Sequence, residues 1–503
     1  MIYGAAGGLF ENSCNRLSDR DNFSRFLKKL KNEKTAPRAI GFVYNDIHQS
    51  ARRLKMQQKF TLSCFADLPL KEGFSLDELV IETRRMFDEE GMAGLVNVIV
   101  LLLDMIVHPP LLGKWEKAES NCCGHAHYVV HSQESKAMRS SAGLLNLLWT
   151  RIRCAGCGKS FIPLRGYLNL EPHQRKTSEL EKIVAEVVSE QSYRRSSQHL
   201  ETIGSIPVPH TTLHRWVMKS DCDEISLKKR VKTLVADGTG FKQKLDADGS
   251  NRGEVCVVVG ITKDNVVVPY GAWTEESWAD ISREIKKANH PSPDKIKFNP
   301  IADLLVSDGE VPLVKYMGRL TKETQRCIWH LPHDLHPLLR YSDDAPPEEA
   351  RTFTSELAGI IDIELPKEDV EKVGLEDRLN LEKTVFEAEK GVQNLVNELK
   401  SRGYNAAATY LANAKAKMFS YVRLWLKTGV VHPRVSSMIE RMMREIGRRI
   451  KKIGHGWSPE GAAKMTRIII KRITSADEWN QHWQAKLKIT GKVKLSFGGC
   501  ELA

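Results

Sequence analysis

Three acidic residues stand where a sequence could build a centre for phosphoryl transfer. Asp237 closes the run VKTLVAD ahead of Gly238-Thr239-Gly240, Asp308 closes ADLLVSD ahead of Gly309, and Glu440 lies in SSMIERMMREIGRRIKK. An Asp-Gly pair at a strand end is, taken alone, ordinary turn chemistry. Together, the two aspartates fall at the carboxyl ends of predicted strands, the edge of an open α/β sheet where sites are built, and adjacent strands would bring both to the same cations. Three carboxylates offer the hard oxygen donors that Mg2+ or Mn2+ requires. Two ions held this way can activate water or a 3′ hydroxyl on one side of a phosphodiester and stabilise the leaving oxygen on the other.

A softer set of ligands precedes them. Cys154-Ala-Gly-Cys157-Gly158 is a knuckle that supplies half of a tetrahedral zinc shell, with Gly158 letting the backbone curl around the metal. The other half is expected from Cys122-Cys123-Gly-His125-Ala-His127, with Cys123 as third ligand and Cys122, His125 or His127 as the fourth; a ribbon that no longer binds Zn2+ is the alternative. Only these four of the ten cysteines are closely grouped, the usage of a metal site in a reducing compartment and not of a disulfide framework. Cys327 and His330 have ligand spacing too, but no second pair lies nearby in sequence, which argues against a structural zinc site.

The elements that must position these residues are legible from periodicity. A helix is predicted from about 75 to 108, stopped by His108-Pro109-Pro110, and short ribbon strands between the two cysteine-bearing turns. A helical stretch follows from Ser178 to about Glu190. SYRRSSQHLETIGSIPVPHTTLHRWVMK then reads as helix, turn and helix, the turn over Ile203–Pro209 and the second helix over His210–Lys219. In such a motif the second helix enters the major groove. Thr211, Thr212, His214 and Arg215 are the base-facing candidates, Leu213 and Trp216 pack inward, and Arg194, Arg195 and Lys219 suit phosphates. Between Lys232 and His330 the order is three strands, helix, strand, helix, strand; Pro346 to Thr428 is all-helical with Gly403 as a stop. A helix from about Val435 to Ile453 carries Glu440 and the basic residues Arg444 and Arg448, further DNA-contacting candidates, and Ser458-Pro459 starts another.

The bulk properties agree with a polyanionic partner: 503 residues, enough for two to four domains, carry a formal net charge of +12. No segment reads as a signal peptide or membrane span, so a cytoplasmic location is expected.

LLVSDGE followed by TQRCIWHLPHDL, and the Glu440 segment ending in a Gly-Trp stop, resemble Mutator-type insertion-sequence DDE transposases, over roughly residues 120 to 475. The resemblance implies an α/β fold: a ribonuclease H-like catalytic domain with an all-helical insertion before the Glu, preceded by a zinc ribbon and a helix-turn-helix domain. The expected divisions are 1–115, a helical region; 116–170, the ribbon; 171–225, the helix-turn-helix; 226–335, the first part of the core; 336–430, the insertion; and 431–503, the Glu helix and C-terminal helices. It further implies a prokaryotic, nucleoid-associated enzyme that cleaves and joins double-stranded DNA at terminal inverted repeats, acting as a homo-oligomer. His330 is then a DNA-contacting or transition-state-stabilising residue at the edge of the last strand. A DNA-binding regulator derived from such an enzyme and a ribonuclease H-like nuclease are the rival readings.

Overall fold

The computed structural model describes residues 41–43, 61–63, 91–108, 127–244, 252–289, 300–366, 372–452 and 456–489, with isolated positions that include Cys123. The chain divides into two units, residues 1–175 and 176–503. Among the described residues no helix is long and apolar enough to cross a membrane.

In the first unit, β1 (Gly41–Val43) and β2 (Thr61–Ser63) form an antiparallel pair. The described continuous part of the first predicted helix is α1 (Met92–Val107), ending at His108 as read from sequence. β3 (Tyr128–Ser140) and β4 (Gly143–Cys154) make one long hairpin where short segments were expected, because their register runs unbroken but for one bulge from Tyr128↔Cys154 to Ser140↔Gly143. Alternation puts Leu145, Leu147 and Trp149 on one face of β4, where they bury with Met138, Ala93 and Val100 beneath α1. Asp104 of α1 accepts from Thr150 N at 3.1 Å and Thr150 Oγ1 at 2.7 Å, fixing helix to hairpin. β5 (Ser160–Phe161) pairs with the end of β4, and α2 (Pro163–Tyr167) follows.

The second unit opens with three mutually packed helices, α3 (Ser178–Glu190), α4 (Tyr193–Gly204) and α5 (His210–Lys219). Thr177 and Ser192 cap α3 and α4 by accepting from Leu180 N and Arg195 N. Ser205 takes a left-handed φ of 50°, and Ser197 Oγ donates to Val208 O at 2.6 Å, which holds the turn before α5.

A five-stranded mixed sheet follows, built from β6 (Thr233–Lys242), β7 (Arg252–Ile261), β8 (Val267–Thr274), β9 (Ala302–Ser307) and β10 (Thr321–Arg326) in the order β10-β9-β6-β7-β8. β7 alone runs antiparallel to the rest. Leu234, Ala236, Val258 and Leu305 face α6 (Trp278–Asn289) and α7 (Val311–Met317); Val235, Val257, Leu304 and Val306 belong to the opposite core. Gly238-Thr239-Gly240 is not the turn expected of it. These residues stay extended and pair with Cys256, Val255 and Glu254 of β7, so Asp237 lies within β6 and not at its end.

The helical stretch begins earlier than its Glu/Lys-rich pattern suggests, at α8 (His330–Pro337), because Leu331 and Leu335 already bury on one side. α9 (Pro347–Ile361), α10 (Leu375–Ser401), α11 (Asn405–Ala414) and α12 (Ser420–Thr428) complete it, and Gly403, at φ 85°, follows the end of α10. α13 (Ser437–Ile450) packs on β6, α14 (Pro459–Thr474) packs on β8, and α15 (Ala476–Leu487) returns to α3.

The three N-terminal helices of this unit do not stand apart as a 171–225 domain. Arg449 of α13 is 1% exposed, donates Nε–H to Val188 O at 2.7 Å, and lies over the rings of Tyr193 (5.2 Å) and Trp457 (4.8 Å). Arg448 and Arg472 both reach Glu190. Burial holds the Arg449 guanidinium down to about 10, the sign of a cation short of solvent. Arg449→Ala, which leaves a cavity and an unpaired carbonyl, is expected to destabilise the unit by about 2–4 kcal/mol. Arg449→Met, of similar volume, should recover most of that loss because a buried charge is itself costly. Urea unfolding of the two variants checks this; equal losses would mean that volume is not what Arg449 contributes.

Candidate active site

The parallel register of β6 and β9 brings two of the predicted acids together. Val235 pairs with Val306, and two residues further along each chain stand Asp237 and Asp308, on the face shared with Val235 and covered by α13. Asp308 follows the last residue of β9; its Oδ1 accepts the Glu310 N–H at 3.0 Å, and Gly309 turns the chain at φ 92°. The φ lies in the left-handed region that favours glycine, and a Cβ there would require the Arg326 guanidinium to shift.

Glu440 enters from the first turn of α13. Ser436 Oγ donates to Glu440 Oε1 at 2.9 Å and lies 3.2 Å from Cys327 Sγ and 3.5 Å from His330 Nδ1, while Ser436 N–H points at the same sulfur at 3.3 Å. His330 opens α8 and is not a strand residue; the strand before it ends at Arg326.

Electrostatics ties these groups into one site. Asp237 is pushed up to about 6, chiefly by burial, then by the Asp308 charge and with a contribution from Glu440, against the opposing pull of the Gly238 N–H and His330. Burial pushes the Cys327 thiol up, but hydrogen bonds with His330 and Ser436 outweigh it and leave the thiol below its usual range. Burial works against the His330 cation, yet Cys327, Asp334 and Glu440 leave it above the ordinary imidazole value. Asp308 and Glu440 both act electrostatically on Asp237, but among the described residues the three carboxylates do not place their oxygens within 4.8 Å of one another; Glu440 groups at that distance with Cys327 and His330.

Ser436, Arg326, Glu254 and Glu310 were not singled out from sequence. Glu254 of β7 lies over Gly238, which has no Cβ to obstruct it. Ser436 carries a signal that could have been read: a serine one position before a helix, four before the acid it orients.

The DNA-facing candidates divide. Arg194, Arg195, Thr211, Arg215 and Arg444 are exposed and Thr212 is half-buried, while Leu213 is fully buried and Trp216 half-buried under Lys176, as the helical spacing predicts. His214 is exposed but sets its ring edge against Tyr193 at 5.2 Å. Arg448 is exposed and pairs with Glu190 at 2.7 Å and Glu445 at 2.6 Å, tying α13 to α3.

In the first unit, Cys123, Cys154 and Cys157 place their sulfurs within 4.8 Å of one another, an arrangement that could hold a metal ion. Cys123 and Cys154 are 3.6 Å apart, and Gly158, at φ 73°, closes the knuckle through its N–H to Cys154 O at 3.0 Å. Cys122 and His125 lie outside the described residues, and His127 is not part of the group.

A folded-state value of about 6 for Asp237 against 3.8 unfolded means that the native state binds the extra proton. Stability therefore falls as pH rises from about 4 to about 6 and stays reduced above that. Without divalent ions, Asp237→Asn should stabilise the protein by roughly 2–3 kcal/mol at most at pH 7 to 8 and not at all below about pH 4. Thermal unfolding across pH in a chelator checks this, and a gain independent of pH would refute it. Compared with known families and curated proteins, the sequence matches no family model and no curated protein.

Proposed function

We propose that the protein is a DNA transposase of the DDE type, cleaving and joining DNA strands with Asp237, Asp308 and Glu440 as the ligands of two divalent ions. The observation that carries this reading is the parallel register that sets Asp237 beside Asp308 under the helix bearing Glu440. The strand order also supports it, since a central first strand flanked by an antiparallel second and a parallel fourth is what a ribonuclease H-like core requires.

Bound there, Mg2+ or Mn2+ would supply activation of water or of a 3′ hydroxyl and stabilisation of the leaving oxygen. The chain's own groups do the placing. Ser436 orients the Glu440 carboxylate, Gly238 N–H and Glu310 N–H steady the two aspartates, and His330 adds a donor beside them. Lys242, Arg252 and Lys451 line a cleft with Phe241, Gly240 and Gly253 further along β6, where a phosphate backbone could run. α4 and α5 present Arg194, Arg195, Thr211, Thr212, His214 and Arg215 to double-stranded DNA. Synapsis of two element ends calls for a second copy of the chain, and the three thiolates of the first unit suit a structural Zn2+.

Purified protein with Mg2+ should release strands ending in 3′ hydroxyls from DNA carrying the sequences that flank its own gene. Asp308→Asn should bind that DNA as wild type does but cleave it on the order of 10³-fold more slowly or worse. Binding without any cleavage by wild type would favour the DNA-binding regulator instead. Arg194→Ala should lower the salt slope of binding by about one; an unchanged slope removes Arg194 from the phosphate contacts.

A further inference from the structure

The group that orients Glu440 has the composition of a second kind of metal site. Cys327 follows β10, His330 opens α8 and Glu440 lies in the first turn of α13, yet a donor atom from each lies within 4.8 Å of the other two. Ser436 Oγ stands among them, at 3.2 Å from the sulfur, 3.5 Å from the imidazole nitrogen and 2.9 Å from the carboxylate oxygen. Tetrahedral zinc, with bonds of about 2.0 Å to oxygen or nitrogen and about 2.3 Å to sulfur, separates its ligand atoms by roughly 3.3–3.8 Å. The separations from Ser436 Oγ are close to that, and the other three ligand atoms, within 4.8 Å of one another, would draw in by up to about 1.5 Å to close the shell.

The ligand chemistry selects the ion. A thiolate and an imidazole favour zinc-like ions over magnesium, which demands hard oxygen. Cys327 is fully buried and faces the Ser436 N–H at 3.3 Å, with Ser436 Oγ 3.2 Å away. The sequence hides the site because its third ligand comes from a helix more than a hundred residues further along.

We propose that Cys327, His330 and Glu440, with the Ser436 hydroxyl at the fourth corner, bind a thiophilic divalent ion of the zinc class, and that this ion competes with the Asp237–Asp308 centre for Glu440. The competition rests on the role given to Glu440 under the proposed function; the binding itself does not. Zinc is then an inhibitor of the magnesium-dependent reaction, acting by withdrawing one carboxylate and not by displacing DNA.

The full chain, loaded with zinc and freed of excess by gel filtration, is assayed for zinc per chain by elemental analysis. Cys327→Ser and, separately, His330→Ala should each hold one equivalent fewer than wild type; Cys157→Ser reports on the knuckle independently. Cobalt substituted for zinc should give a wild-type minus Cys327→Ser difference spectrum with single-thiolate charge-transfer absorption. Wild-type stoichiometry and an unchanged cobalt spectrum in both Cys327→Ser and His330→Ala overturn the site and leave only a hydrogen-bonded cluster. Loss of the extra equivalent, with added zinc leaving wild-type cleavage unaffected, overturns the competition. Zinc bound as expected in a protein without magnesium-dependent cleavage leaves the site standing and removes the transposase reading.

Discussion

Two carboxylates at the same level of adjacent parallel strands repel each other, and partial burial weakens the screening that water would provide. That repulsion, added to the larger cost of burying Asp237, is a constraint that the site's neighbours must meet. The β6–β9 register admits no relief by sliding, because a one-residue slip would turn Val235 and Val306 out of the core they share. Relief comes from the surroundings instead. The Gly238 N–H and the His330 imidazole favour the Asp237 anion, the Glu310 N–H bonds to Asp308, and the Arg326 guanidinium occupies the space beside Gly309. Burial first, and the remaining repulsion second, leave Asp237 with a raised proton affinity.

Glu440 can add to this crowd only if the chain returns accurately after a long helical excursion. The returning end of the excursion is anchored to the last strand and the residues just after it. Gln325 bonds to Met418 O at 2.6 Å and accepts Tyr421 N–H at 3.1 Å, and Ile328 N–H reaches Arg434 O at 3.1 Å. Cys327 then receives Ser436. Between those anchors the helices bury a core of their own, with Phe353, Leu357, Leu395, Leu399, Leu411 and Trp425 out of water. A rigid insertion of this kind keeps the exit at His330 and the re-entry at Ser436 in fixed relation, which is what a carboxylate delivered from so far along the chain demands.

The smaller unit solves a different problem with similar means. Its hairpin exposes one face to solvent and covers the other with a single helix, so the apolar area is modest for residues spread over so long a strand pair. Polar ties supplement it. The buried Asp104 carboxylate spans helix and strand through Thr150, and Arg151 pairs with Glu134 across the hairpin. The three cysteine sulfurs at the open end stand where a metal ion would add a further cross-link.

Period-two and period-3.6 patterns made the order of strands and helices from Lys232 to His330 readable in advance, as were the second helix at His210–Lys219, the knuckle glycine and the helix start at Ser458-Pro459. These are local properties: side-chain alternation, caps and backbone conformation depend on neighbours in sequence. Asp237, Asp308 and Glu440 could be nominated because acids beside strand ends and on a basic helix are unusual residue choices. Whether Gly238-Thr239-Gly240 turned or stayed extended was decided by β7, whose backbone offered those residues partners. Nothing local foretold that Arg448 pairs with Glu190 of α3, and nothing local marks Arg449 as the buried tie between α13 and α3. Ser436, Cys327 and His330 meet Glu440 only when the insertion closes. The sequence determined the elements and the residue types able to do chemistry; tertiary packing decided which of them meet, because proximity across a hundred residues is a property of register and core packing that no local pattern encodes.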